Sequence, residues 1–432
     1  MITNFKDSEQ LLINASTIIP LGTQTFSKSY TQFPRGASPF YIERGEGPYV
    51  WDIDNNKYID MINSLASITL GYADPFINQA ISNQLAKGTI FSLASPLEYE
   101  LSKKLVQHIP CAEMVRFGKN GSDATSAAIR LARAFTQKSH ILVCGYHGWH
   151  DWYITTTTKD AGVPIEVNQL TSTFRYNDLN SLISNFEKQK GKVAAVIMEP
   201  MNIHFPEAGY LQAVKNICHE NDAVLIFDET VTGFRYGLGG AQEYFDVTPD
   251  LATFGKGLAN GMPLSAVVGK REIMTLFEDI FCSFTFGGET LSIAAAIAVI
   301  NQLEKENILA KISNTGDYLI NRVKLLVDKY QLTDHLRTSG HPSWSFILFC
   351  NPDPDINNSL KTLFIQETIK RGLLTLGSHN LTAAHDRSII DTVLSIYDEV
   401  FGVLSRAVNS RNISSYLTVE PLKPLFNIRN ND

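Results

Sequence analysis

Between about residues 71 and 300 the chain alternates short, wholly apolar runs with stretches of helical periodicity. HILVCGY, VAAVIMEP and AVLIFDET are of the first kind; DATSAAIRLARAF and GYLQAVKNICHEN are of the second. A strand without polar alternation has no face to give to water, so both of its faces must be covered. Strands interleaved with helices are joined by crossovers, which make neighbours parallel. The expected fold class is therefore α/β: a mostly parallel central sheet with helices on both faces.

The flanks read differently. FYIERGEGPYVWDIDNNKYIDM alternates apolar and polar residues around Gly45–Gly47 and Asn55-Asn56, which predicts a small antiparallel meander. After a long helix from Leu291 to about Lys305, strands such as WSFILFC and LLTLG mix with the helical SIIDTVLSIYDEVFGVL, the pattern of a smaller α+β domain. The expected division is residues 1–70 as an N-terminal segment belonging to the small domain, 71–308 as the large domain, and 309–432 as the C-terminal small domain.

Charge and cysteine usage narrow the partners. Among 432 residues, Lys+Arg 37 against Asp+Glu 44 leaves a net charge of −7, without a basic cluster. Neither nucleic acid nor an anionic membrane is expected as a partner. Five dispersed cysteines with no CxxC suggest neither a disulfide framework nor a zinc ribbon. MITNFKDSEQ lacks the apolar stretch of a signal peptide, so the expected location is cytoplasmic.

Ligands of an open α/β sheet gather at the carboxyl ends of its strands, and four features fall there. FGKNGSDATSAAIR places Gly121 and Ser122 at a helix start, where backbone N–H groups and a hydroxyl suit one phosphate; an ordinary N-cap reads the same way. CGYHGWHD offers Tyr146 as a flat face with His147 beside it, or simply a loop packing its aromatics; a metal at His147 and His150 lacks an acidic third ligand. AVLIFDETVTGFR ends a buried strand in Asp228 and Glu229, which must point to opposite faces, as helix cap or as catalytic group. In DLATFGKGLANGMPLSAVVG, Lys256 sits among small residues that admit a bulky ligand, and a desolvated lysine there is a nucleophile toward a carbonyl; the alternative is a surface lysine. A phosphate cradle, an aromatic face, a carboxylate and an amine together suit pyridoxal 5′-phosphate (PLP).

From roughly Phe40 to Ala407 the chain resembles the class III, fold type I, PLP-dependent aminotransferases, most closely the branch of glutamate-1-semialdehyde 2,1-aminomutase. GPYVWDIDNNKYIDM, EMVRFGKNGSDATSAAIRLARA, GYHGWHD, VIMEP, LIFDETVTGFR, TFGKGLANGMPLSAVVGKREIM and FTFGGETLS carry the likeness. The resemblance implies Lys256 as the Schiff-base lysine and Asp228 as partner of the pyridine nitrogen. It further implies Gly121 and Ser122 at the phosphate, Tyr146 on the ring with His147 beside it, and Glu199 and Thr230 lining the cofactor pocket. Thr285 is implied to reach the phosphate of the neighbouring subunit, hence a homodimer.

At the substrate end the chain departs from the aminomutase. The segment between Trp152 and Arg175 is shorter than its gating loop, MNIHFPEAGY lacks its insertion, and Lys28 stands where a carboxylate-binding arginine is usual. Lysine lacks the bidentate fork of arginine. The expected reaction is ping-pong amino transfer from an amino donor to an aldehyde or ketone, with a sugar-like acceptor as in surface-polysaccharide metabolism. The rival is intramolecular transfer by glutamate-1-semialdehyde aminomutase.

Overall fold

The computed structural model describes residues 1–305 and 307–423. Two compact units share them, one of residues 1–66, 70–74 and 310–423, the other of residues 67–69 and 75–309. In the first, β1 (Ile42–Glu46), β2 (Tyr49–Asp52) and β3 (Lys57–Asp60) form the expected antiparallel meander. Its turns fall at Gly47 and Asn55, both with positive φ.

The second unit holds a seven-stranded sheet. In chain order its strands are β4 (Met114–Gly118), β5 (His140–Cys144), β6 (Thr171–Thr173), β7 (Val193–Met198), β8 (Val224–Asp228), β9 (Leu251–Phe254) and β10 (Ser265–Gly269). In space they run β4-β10-β9-β8-β7-β5-β6. The ladders joining β6, β5, β7, β8 and β9 are parallel, and β10 is antiparallel to both of its neighbours. Every residue of β5, β7, β8, β9 and β10 is buried. That explains the unbroken apolar runs, since neither face of these strands meets water.

Helix Gly121–Thr136 crosses this sheet on a face of small residues; Ala124, Ala127, Ala128, Leu131 and Ala132 are buried against the strands. Its start is secured by Asp123, whose carboxylate accepts from Lys119 N (3.1 Å) and Asn120 N (2.7 Å). The long apolar helix predicted from Leu291 runs over Thr290–Lys305.

In the first unit, β11 (Leu336–His341), β12 (Trp344–Phe349) and β14 (Ser378–Asn380) make an antiparallel sheet, while β13 (Leu373–Leu374) pairs parallel with β3. LLTLG, read from sequence as one strand, contributes only two ladder residues before Gly377, at φ +91, turns the chain toward the other sheet. The helix predicted within SIIDTVLSIYDEVFGVL spans Arg387–Asn409. Residues 424–432, most of the tail beyond Pro421, lie outside the described residues. Among the described residues no helix is long and apolar enough to cross a membrane.

This unit carries a pH liability. His379 is buried between Ser345 Oγ (2.9 Å from Nδ1) and Tyr397 OH (2.9 Å from Nε2). Burial, aided by the charge of His385, pulls its imidazole down to about 3. The folded state therefore holds His379 neutral, while the unfolded chain protonates it near its ordinary value of about 6.5. Its contribution to stability is complete above about pH 6.5 and drains away at about 1.4 kcal/mol per pH unit as pH falls toward 3. H379Q is expected to flatten the acid limb of a stability–pH curve from urea melts between pH 6.5 and 4.5; an unchanged slope would assign that limb to other groups.

Candidate active site

Four adjacent parallel strands each deliver one polar side chain at or just beyond a carboxyl end. His147 follows β5, Glu199 follows β7, Asp228 closes β8, and Lys256 follows β9. This is where an open α/β sheet collects ligands.

Asp228 is 4 % exposed, and its carboxylate is saturated with donors. Oδ1 accepts from Thr230 N (3.1 Å), Thr230 Oγ1 (2.6 Å) and Thr253 Oγ1 (3.1 Å); Oδ2 meets His147 Nδ1 at 2.8 Å. Burial alone pushes this carboxyl up, but the hydrogen bond and charge of His147, with the Thr230 donors, bring it below the ordinary aspartate value. Glu229 points the other way, as strand alternation demands, and caps the turn at Ala241–Gln242 through both backbone N–H groups (2.6 and 2.9 Å). Of the two acidic neighbours, one is thus structural.

Lys256 opens a 3-10 turn over Lys256–Ala259 with φ +43, a left-handed conformation that costs a β-carbon-bearing residue of order 1 kcal/mol. The turn is tethered from residues 67–69. Thr69 Oγ1 donates to Gly257 O (3.3 Å), and Asn260 Oδ1 accepts from Thr69 N (2.8 Å). Burial pulls the Lys256 ammonium below an ordinary lysine, against the opposing charges of Glu199 and Asp228; Arg235 pushes the same way as burial. Such an amine is free to act as a nucleophile at neutral pH more often than a solvated one.

Glu199 accepts from Tyr146 N (3.0 Å) and Asn202 Nδ2 (2.8 Å). Its carboxyl is raised, first by burial and then by the charge of Asp228. Tyr146 is half exposed; the edge of its ring meets Tyr153, with centroids 5.5 Å apart. His147 is buried against Asp228, with Nε2 3.2 Å from Cys144 O. His150 diverges from it, its Nδ1 2.6 Å from Ser126 Oγ, so the two histidines share no ligand.

At the helix start, Gly121 N and Ser122 N have no hydrogen-bond acceptor among the described residues. Ser122 Oγ accepts from Trp149 N (3.3 Å), leaving its own proton to donate. Gly148, at φ +108, is required here: a Cβ would lie 2.2 Å from Ser122 Oγ. Thr230 ties the two halves, since a Cβ on Gly121 would lie 3.1 Å from its Cγ2 and one on Gly255 3.4 Å.

Thr285 is exposed on the segment between Phe281 and Phe286, which are 83 % and 57 % exposed. Lys28 belongs to the first unit, where its Nζ donates to Ser64 Oγ at 3.4 Å. The other candidates, Gly121, Ser122, Tyr146, His147, Glu199, Asp228, Thr230 and Lys256, all fall in the second unit. Thr253, Asn202, Thr69 and Asn260 escaped the sequence reading. Only Asn260, in an Asn-Gly pair, carried a local signal.

The model of the family "Aminotransferase class-III" matches residues 32–390. The chain belongs to the class-III aminotransferases. It is 36 % identical over 381 residues to the 3-aminobutyryl-CoA aminotransferase of Cloacimonas acidaminovorans, covering 86 % of this chain and 91 % of that protein. It is 37 % identical over 420 residues to the glutamate-1-semialdehyde 2,1-aminomutase of Methanosarcina acetivorans, covering 91 % and 97 %. Among solved structures, the FumI protein of Sphingopyxis sp. MTA144, in its PLP internal aldimine form, superposes with a TM-score of 0.88 at 27 % identity, covering 96 % and 98 %. Class-III aminotransferases are PLP-dependent enzymes of fold type I, with a large, mostly parallel sheet and a smaller sheet domain. The residues present fit that cofactor: two unclaimed N–H groups and a hydroxyl suit a phosphate, a half-exposed phenol ring suits a heterocycle, a donor-saturated carboxylate suits a ring nitrogen, and a desolvated amine suits an aldehyde.

Proposed function

We propose that this protein moves an amino group between a small-molecule amino donor and a separate aldehyde or ketone by ping-pong chemistry. The observation that carries the reading is the convergence of Lys256, on its left-handed turn, with Asp228 and Glu199 at adjacent strand ends. PLP supplies, when bound, an aldehyde that condenses with amines and a ring that draws electrons from the substrate carbon. Lys256 is the amine that holds the cofactor and, once displaced, the base that carries a proton from one carbon to the other. Asp228 keeps the ring nitrogen protonated. Gly121 N, Ser122 N and Ser122 Oγ hold the phosphate, Tyr146 covers the ring, and Thr230 and Glu199 close the pocket. Lys28 is proposed to meet the substrate, with a single point charge in place of a fork.

Transfer between molecules is favoured by the segment between Trp152 and Arg175. It takes in the end of the short helix Asp151–Ile154, the short helix Ile165–Asn168 and β6, and is shorter than the aminomutase gating loop. A sugar or other polyol carbonyl is the acceptor class we propose. The aminomutase relative favours the second reading, intramolecular transfer on glutamate-1-semialdehyde. Nitrogen-15 labelling separates the two: with a labelled amine donor, intermolecular transfer places the label in the aminated acceptor. Conversion of unlabelled glutamate-1-semialdehyde to 5-aminolevulinate, with label excluded, would establish the mutase.

A second copy of the chain is proposed to cover Phe281 and Phe286 and to receive Thr285 at its phosphate. Replacing both phenylalanines by Asp is expected to give monomers by analytical ultracentrifugation that bind PLP at least about tenfold more weakly, the loss of about one hydrogen bond to a charged group. A double variant that stays dimeric with unchanged PLP affinity would place the interface elsewhere.

A further inference from the structure

A cleft of about 530 Å³ lies along the helix Gly121–Thr136, past the turn that carries Gly121 and Ser122. That is the size of a small-molecule site, and none of the residues proposed above to hold PLP or substrate lines it. One wall is cationic. Arg130 and Arg133 stand three residues apart and so share a face of the helix. Arg130 donates to Phe281 O (2.6 Å) and Arg133 to Ser139 O (2.9 Å); neither has a carboxylate partner, although Asp151 lines the same cleft. Arg133 is partly buried, and burial pulls its guanidinium below the ordinary arginine value. Shielding a cation from water without an anion beside it costs free energy that a bound anion offsets.

The other wall is aromatic. Trp149 is 67 % exposed, yet it is held in place. Its ring meets His150 edge-to-face (centroids 4.6 Å apart, 86°), and His150 Nδ1 lies 2.6 Å from Ser126 Oγ, which accepts from Trp152 Nε1 (2.8 Å). A fixed indole open to water is a stacking platform that needs no ordering before it binds a planar ring. We propose that this cleft binds a nucleoside diphosphate, with its phosphates on Arg130 and Arg133 and its base against Trp149. Guanidinium forks match phosphate oxygens two at a time. Asp151, next in the chain to the Trp149–His150 pair, repels phosphate from that wall and so sets the orientation. An inorganic anion leaves Trp149 unused, and a neutral heterocycle leaves both arginines unused; a ligand carrying both ends matches both walls.

Calorimetric titration of the full-length protein with ADP, at low ionic strength and without divalent metal, tests the proposal. Excess PLP is present so that ADP cannot settle on the Gly121–Ser122 turn. One ADP per chain is expected to bind, with inorganic pyrophosphate and adenosine each at least about tenfold weaker. R133Q should weaken ADP and pyrophosphate alike, by about tenfold or more. W149L should weaken ADP by about tenfold and leave pyrophosphate unchanged, since only the base is lost from its platform. Wild type that binds no ADP, or an R133Q protein that binds it as tightly as wild type, would overturn the proposal. So would pyrophosphate binding as tight as that of ADP with W149L indifferent, which would leave a site for simple anions only. Should R133Q fail to fold, the exposed Arg130 decides: R130A must weaken ADP. Protein that takes up no PLP refutes the transamination reading, and the comparison of wild type with R133Q still settles the cleft.

Discussion

Lys256→Ala is expected to abolish the visible absorption of the PLP-loaded protein and to lower turnover by a factor on the order of 10⁴ to 10⁶, the range seen when the covalent group of an enzyme is removed. The size follows from two roles placed on one atom. In the proposed function the Lys256 amine attaches the cofactor and, after displacement, serves as the general base for the proton that must leave the substrate carbon. Its environment is built for both: burial lowers its proton affinity, Glu199 and Asp228 oppose that shift, and the left-handed turn is pinned by Thr69 and Asn260. The fold should survive, because Lys256 makes no ion pair on which the packing depends among the described residues and alanine tolerates the turn no worse than lysine. Thermal unfolding of the cofactor-free variant should therefore match the cofactor-free wild type. An adduct on the alanine variant that borohydride still reduces would assign the attachment to another lysine.

Asp228→Asn should leave PLP bound and cost about a thousandfold in the half-reaction. Two unit charges about 4 Å apart interact by roughly 4 kcal/mol at an effective dielectric of 20. That equals about 3 pKa units on a ring nitrogen, and about three orders of magnitude in the rate of the step that draws electrons toward it. Asparagine keeps the size and the Thr230 and Thr253 contacts within reach but cannot hold the anion. The measurement is stopped-flow absorbance with a single amine. A variant within about tenfold of wild type would remove Asp228 from the electron-sink role.

How much of this was legible in the sequence follows from the range of each signal. The unbroken apolar runs of β5, β7 and β8 announce strands buried on both faces, because burial is recorded residue by residue. Asp228 and Glu229 could be assigned to opposite faces from strand alternation alone, and the structure sends them to His147 and to Ala241–Gln242 respectively. Thr253 was not legible: its hydroxyl reaches Asp228 because β8 and β9 pair in a register that sets Asp228 opposite Thr253, and register between distant strands leaves no local mark. His147 was visible as a residue, but its contact with Asp228 was not, since the direction of a loop side chain depends on Cys144 and Trp152 packing around it. LLTLG failed as a single strand for a similar reason: only Leu373–Leu374 pair with β3, and past Gly377 the next strand, Ser378–Asn380, joins a different sheet.

The central claim is tested most directly by mixing the PLP-loaded enzyme with one amine and no acceptor. The account predicts that the cofactor converts to its amine form in a single turnover, releasing one carbonyl product per active site, and that adding an aldehyde or ketone restores the starting spectrum. A spectrum that stays unchanged across a broad panel of amines, in protein that has demonstrably taken up PLP, would contradict it.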